Sequence, residues 1–249
     1  MLATVLLVQL GAATAAAVAM EHGDEHACTI SGSGAGKPAA AALREACEAA
    51  VPWVTGVWGS DWDQRVTLVL PDTADELSQL LPGSGHLGEV AALADADRVY
   101  VNPDALTRLS SSGLQVVLRH EVTHLAGQAQ DPDMPIWLAE GLAEYVAFKG
   151  TDKPAAEVAR ELAAEVRAGK VSPALPTGRQ FDGPRLPAVY QECWRAVTVL
   201  SRERGEAGVL RVYRRVLNGS TVDAALATEG LSTAGLTRLW RADLRRLPG

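Results

Sequence analysis

Residues Ser112–Gly150 read SGLQVVLRHEVTHLAGQAQDPDMPIWLAEGLAEYVAFKG, and their reading decides how the rest of the chain is understood. The first half predicts a helix with legible ends. Ser112 and Gln115 have the spacing of a capping box, Leu114, Val117, Leu118, Val122 and Leu125 form an apolar stripe, and Gly127 stands where the helix should close. On it sits His120-Glu121-Val122-Thr123-His124. Residues four apart project from one helix face, one turn from each other, so both imidazoles reach a single ion. Zn²⁺ suits this chemistry: it takes imidazole and carboxylate in a tetrahedron and, in a catalytic site, keeps one position for water. Glu121 stands beside the first histidine, placed to accept a proton from that water.

Two histidines leave such a site one donor short. The metzincin pattern HExxHxxGxxH is not met, because Gly127 fits but its last position is Gln130, and Asp131 is one residue out of register. The breaker-rich Asp131-Pro132-Asp133-Met134-Pro135 is followed by Ile136-Trp137-Leu138-Ala139-Glu140-Gly141-Leu142-Ala143-Glu144-Tyr145. HExxH with this second run resembles the HExxH…WLxEGxAxY signature of the gluzincin metallopeptidases, the peptidase MA group of thermolysin-like and aminopeptidase-N-like enzymes. The resemblance is specific within residues 112–150 and extends in layout over roughly 38–248. It implies an α+β, zincin-like fold with a small N-terminal mixed sheet, an active-site helix pair and a helical C-terminal lobe. It implies one Zn²⁺ per chain, held by His120, His124 and Glu140, and hydrolysis of peptide bonds with Glu121 as general base. Glu144, one turn beyond Glu140, matches a position from which some gluzincins hydrogen-bond a ligand histidine and set its tautomer. Gly141 is expected to make room where the two helices approach.

Three further expectations follow from the resemblance. Aminopeptidase-N-like members place a tyrosine from a later helix against the oxyanion, and Tyr190 matches in chain order and in its YQxxW-like context. Extended peptide adds to a sheet edge near the metal, so an edge strand is expected there. A GxMEN-like motif is missing before His120, which argues against an exopeptidase of the aminopeptidase-N kind. Arg195, Arg185 and Gln191 are weaker candidates for substrate contact. A reading from another class is a catalytically silent zincin-fold module that binds a partner at the cell envelope. Glu121 speaks against it, since a binding module needs no general base.

With 249 residues the chain accommodates one domain of this size or two small ones. A formal charge of −7 without a basic run argues against nucleic acid as a partner, and the resemblance implies a peptide or protein substrate. Cys28, Cys47 and Cys193 allow one disulfide and a free thiol, or three thiols.

Residues 1–20, MLATVLLVQLGAATAAAVAM, carry no charged side chain and read as a signal peptide or membrane anchor, so an extracytoplasmic location, secreted or anchored, is expected. Residues 21–37 read as a flexible linker, although His22, His26 and Cys28 in it would also suit a metal. Residues 38–249 form the peptidase MA-like domain of this reading. Within it, Pro38 to Trp58 predicts a helix with Leu43, Cys47, Val51 and Val54 on one stripe. Arg65–Leu70 and Arg98–Pro103 read as strands, Asp72–Leu81 as a short helix, Pro82–Gly88 with His86 as a loop, and Glu89–Ala94 is ambiguous. Asp152 to Gly169 predicts one amphipathic helix, and 171–187 a long Pro- and Gly-rich loop bordering a cleft. Pro187 opens a helix carrying Tyr190, Trp194 and Val197 on one face. The short helices after Ala207 are expected to close the far wall of the cleft.

Overall fold

The computed structural model describes residues 27–81, 90–129, 131–181 and 183–247. The stretch 1–20 and residues His22, His26, His86 and Gln130 lie outside the described residues, so the expectations placed on them stand apart from the fold. The architecture is α+β: a small mixed sheet at the N-terminal end, and helices that make up most of the chain. No helix among the described residues is long and apolar enough to cross a membrane.

The sheet begins earlier than the sequence reading allows. β1 spans Cys28–Ser31, and a 3-10 turn follows at Ser33–Gly36, so this part of the expected linker is ordered structure. Cys28 pairs with Cys47 in a disulfide, and β1 lies parallel to β2, Val66–Val69. Between these strands runs α1, Pro38–Trp58, entered through proline at its first position, where a missing N–H costs nothing. Its stripe of Leu43, Cys47, Val51 and Val54 is buried as expected.

α2, Ala74–Leu80, is capped by the Thr73 side chain, which accepts from the Glu76 N–H. β3, Ala92–Asp95, and β4, Arg98–Val101, form a hairpin closed by the two residues Ala96 and Asp97. The strand order is β1-β2-β4-β3: the first three parallel, β3 antiparallel and at one edge. Alternation sorts the side chains onto two faces. Val66, Leu68, Ala92, Ala94, Val99 and Val101 enter the main core, while Leu93 and Tyr100 pack with Leu77 and Leu81 of the α2 side. The short α3, Pro103–Leu106, then leads to the helix that matters most.

α4, Ser111–Gly127, packs on α1 and on the sheet through Leu114, Leu118 and Val122. Its ends differ from the reading above. Ser110, not Ser112, is the N-cap, accepting from the Gly113 N–H, and Gln115 is turned to the Ala46 carbonyl of α1 at 3.1 Å. Gly127 is still helical; Gln128, at φ 49°, takes the left-handed position. Gly127 serves packing instead, because a Cβ there would stand 2.9 Å from the Tyr213 hydroxyl.

α5, Ile136–Phe148, buries Trp137, Leu138 and Leu142 and lies against α8, Leu186–Leu217. Gly141 permits that contact, not the one with α4: an added Cβ would fall 2.5 Å from the Cys193 carbonyl oxygen and 2.6 Å from Val197 Cγ2. The expected helix over 152–169 is two, α6 at Ala155–Val158 and α7 at Arg160–Arg167, broken at Ala159, which is buried. α8 bends at Gly205, whose φ of 71° no helix contains. α9, Val222–Thr228, and α10, Thr233–Leu244, pack against α8.

Candidate metal centre

Three side chains from two helices converge. α4 carries His120 and His124 one turn apart, and α5 carries Glu140 opposite them. The Nε2 atoms of the two histidines are 2.9 Å apart, and Glu140 Oε2 is 3.3 Å from each. All three ligand-capable atoms lie within 4.8 Å of one another. The donor set tests well against zinc. Bonds of about 2.0–2.1 Å in a tetrahedron put ligand atoms roughly 3.3–3.4 Å from each other, close to the separations seen. Glu140 Oε2 is buried and faces only the two imidazole nitrogens, an arrangement in which one cation could satisfy all three atoms.

The electrostatics point the same way. Burial opposes a charge on His120, yet hydrogen bonds to Glu140 and Glu144 outweigh it and raise the pKa well above the ordinary histidine value. Burial likewise opposes ionised Glu140, but the attraction of His124 and then the hydrogen bonds of both histidines hold its pKa well below the usual carboxylate range. The site therefore keeps a carboxylate ready and attracts positive charge.

Around this centre the expected partners are in place to different degrees. Glu144 Oε1 lies 3.2 Å from His120 Nδ1, so one of the two candidate ligand histidines has a carboxylate behind it. His124 Nδ1 is buried without a hydrogen-bond partner. Glu121 is 7% exposed, and its Oε2 accepts the Ala94 N–H of β3 at 2.7 Å. Tyr190 stands on the first turns of α8 with its ring centroid 6.1 Å from that of His120 and 5.2 Å from that of Phe181. Burial, then the carboxylates of Glu140, Glu121 and Glu144, push the Tyr190 phenol far above its ordinary pKa, so it remains a proton donor.

His120, Glu121, Glu144 and Tyr190 open into one cleft of about 370 Å³. Its walls are Val90, Ala91 and Ala92 before and in β3, Val116 and Val117 one turn ahead of His120, Phe148, Val158, Leu186 and Pro187. The far wall is thus α6 and the start of α8, and no residue of α9 or α10 is among the lining residues described. The weaker candidates divide. Arg195 is tied to Asp243 at 2.6 Å, and Arg185 to Glu165 and Glu192, so both serve the scaffold. Gln191 reaches the cleft wall, but its amide is engaged by the Leu162 N–H and Glu161.

Sequence reasoning missed the Ala94 amide and most of the apolar wall. Val116 has a usable signal, being four residues before His120 on the same helix face. A backbone N–H has none. The edge strand that lies beside Glu121 is β3. Compared with protein-family models, curated proteins and solved structures, the chain matches none.

Proposed function

We propose that this protein is a zinc-dependent peptidase of the gluzincin type, with a zincin-like arrangement of its helix pair and sheet. The observation that carries the reading is the convergence of His120, His124 and Glu140, with His120 and the neighbouring Glu121 opening into the cleft. His120, His124 and Glu140 would hold the ion. Zinc in such a site supplies Lewis acidity and makes water a nucleophile near neutral pH. Glu121 takes the proton of the attacking water and returns it to the leaving amine. Tyr190, kept protonated, donates to the oxygen that gains charge. The apolar walls exclude water and orient the peptide. A peptide or protein is the substrate, and the Cys28–Cys47 disulfide suits an extracytoplasmic location.

The test compares the zinc-loaded wild type with Glu121→Gln on a library of internally quenched peptides. Peptide cleavage by the wild type is expected, with a fall in kcat of about 10²–10⁴-fold in the variant while each retains about one zinc per chain. A zinc-bound wild type that cleaves no peptide, or a variant with full activity, overturns the proposal and moves the silent binding module to first place.

A further inference from the structure

The β3–β4 hairpin sets the place of Ala94 with little freedom. Its turn has only two residues, and Ala96 takes φ 52°, a left-handed conformation that L residues rarely adopt. In a ladder with side-chain period two, a slip of one residue would turn Ala94 to the opposite face. The Asn102 N–H donates to the Ala91 carbonyl, so the hydrogen-bonded pairs are Ala91/Asn102, Leu93/Tyr100 and Asp95/Arg98. Ala92 and Ala94 accordingly turn their N–H and C=O groups away from β4. The outward Ala94 N–H meets Glu121 Oε2 at 2.7 Å, with Ala94 8% and Glu121 7% exposed. A hydrogen bond to a carboxylate in such a place is short and stronger than one between neutral groups.

We propose that the Ala94 peptide N–H is a positioning group for Glu121: it pins Oε2, fixes the plane of the carboxylate, and leaves Oε1 as the oxygen that exchanges protons with water and leaving group. This rests on the peptidase reading above and deepens it. An untethered glutamate samples several rotamers, and a base that must meet one proton in one direction loses rate with each unproductive one. The same bond removes the Ala94 N–H from the groups that a bound extended chain can pair with, so the edge of β3 is shortened for strand addition at that point.

Two measurements on the full chain test it. Amide hydrogen exchange followed by NMR reads the contact without any turnover. The Ala94 amide is expected to be protected in the wild type and in Glu121→Gln, whose amide oxygen still accepts, and to exchange at least about tenfold faster in Glu121→Ala while Leu93 and Asp95 are unchanged. Equal Ala94 exchange in wild type and Glu121→Ala overturns the proposal. Ala94→Pro then removes the N–H where an edge strand tolerates proline. We expect unchanged zinc content, KM within about twofold and kcat lowered at least about tenfold, with Ala94→Gly, which keeps the N–H, near wild type. Wild-type kcat in Ala94→Pro overturns the positioning role. If that variant does not fold, the exchange result decides. Absence of turnover in the wild type overturns the peptidase reading alone, and the exchange comparison still decides whether Ala94 holds Glu121.

Discussion

His120 and His124 come from one motif but occupy unequal surroundings. His120 Nδ1 has Glu144 at 3.2 Å, whereas His124 Nδ1 is buried without a partner. A carboxylate behind a ligand imidazole fixes its tautomer and raises its basicity, so under the proposed zinc reading Glu144 should count for much of the metal affinity. Glu144→Ala is expected to weaken zinc binding about 10–100-fold in chelator competition. An unchanged affinity would make the contact incidental. Cys193, also buried, stays a thiol because burial, followed by the charges of Glu140 and Glu192, pushes its pKa well up. At this scale the sequence was informative wherever the chemistry is local. The i, i+4 spacing of His120 and His124 brings them together in any helix, and Glu121 travels with them. Glu140 and Glu144 were legible only through a resemblance, since no spacing rule says which face of a second helix will meet the first.

Element boundaries and contacts were read less well, for identifiable reasons. Three consecutive serines, 110–112, stand at the start of α4, and each has a side chain able to cap. Ser110 takes the role because Gln115, the other half of the expected box, is drawn to the Ala46 carbonyl of α1. Glycines misled in a similar way. Gly127 was expected to close α4 and Gly141 to make room for α4, but the groups that need the space are Tyr213 and the backbone of Cys193, both on α8. The Gly141 contact gives a sharp stability prediction. A methyl group 2.5 Å from a carbonyl oxygen forces α5 and α8 apart, so Gly141→Ala should cost about 1–3 kcal/mol, read as a lower urea midpoint at unchanged slope. A midpoint equal to wild type would show that the helices separate freely. Because α5 carries Glu140 and α8 carries Tyr190, the same variant displaces both sides of the site.

Over the whole molecule, the helix pair is held between two supports. On one side α1 and the sheet carry α4; on the other α8 carries α5. The disulfide belongs to the first support, tying the outer strand β1 to the middle of α1. It closes a loop across a sequence separation of 19, so its loss should destabilise the fold by about 3 kcal/mol on loop-entropy grounds. Denaturant unfolding of a Cys28→Ser/Cys47→Ser double variant beside the wild type measures this. Equal stability would mean that β1 is held by its ladder with β2 alone. The far wall of the cleft also belongs to this scale. α6 and the first turn of α8 form it because the break at the buried Ala159 and the Arg185 ion pairs with Glu165 and Glu192 hold α7 against α8 with α6 beside it.

His120-Glu121-Val122-Thr123-His124 on a helix, the strands around Val66–Val69 and Arg98–Val101, and the buried stripe of α1 were determined by the sequence itself, because each depends on the period of one element. Tertiary structure decided the rest. Cys28 met Cys47 in preference to Cys193, and Ala94 lent its N–H to Glu121. Gly141 faced Cys193, and α6 rather than the C-terminal helices walled the cleft. Each of these depends on the packing of elements distant in the chain, and a side-chain pattern records the period of its own element but not the identity of the neighbour it will meet.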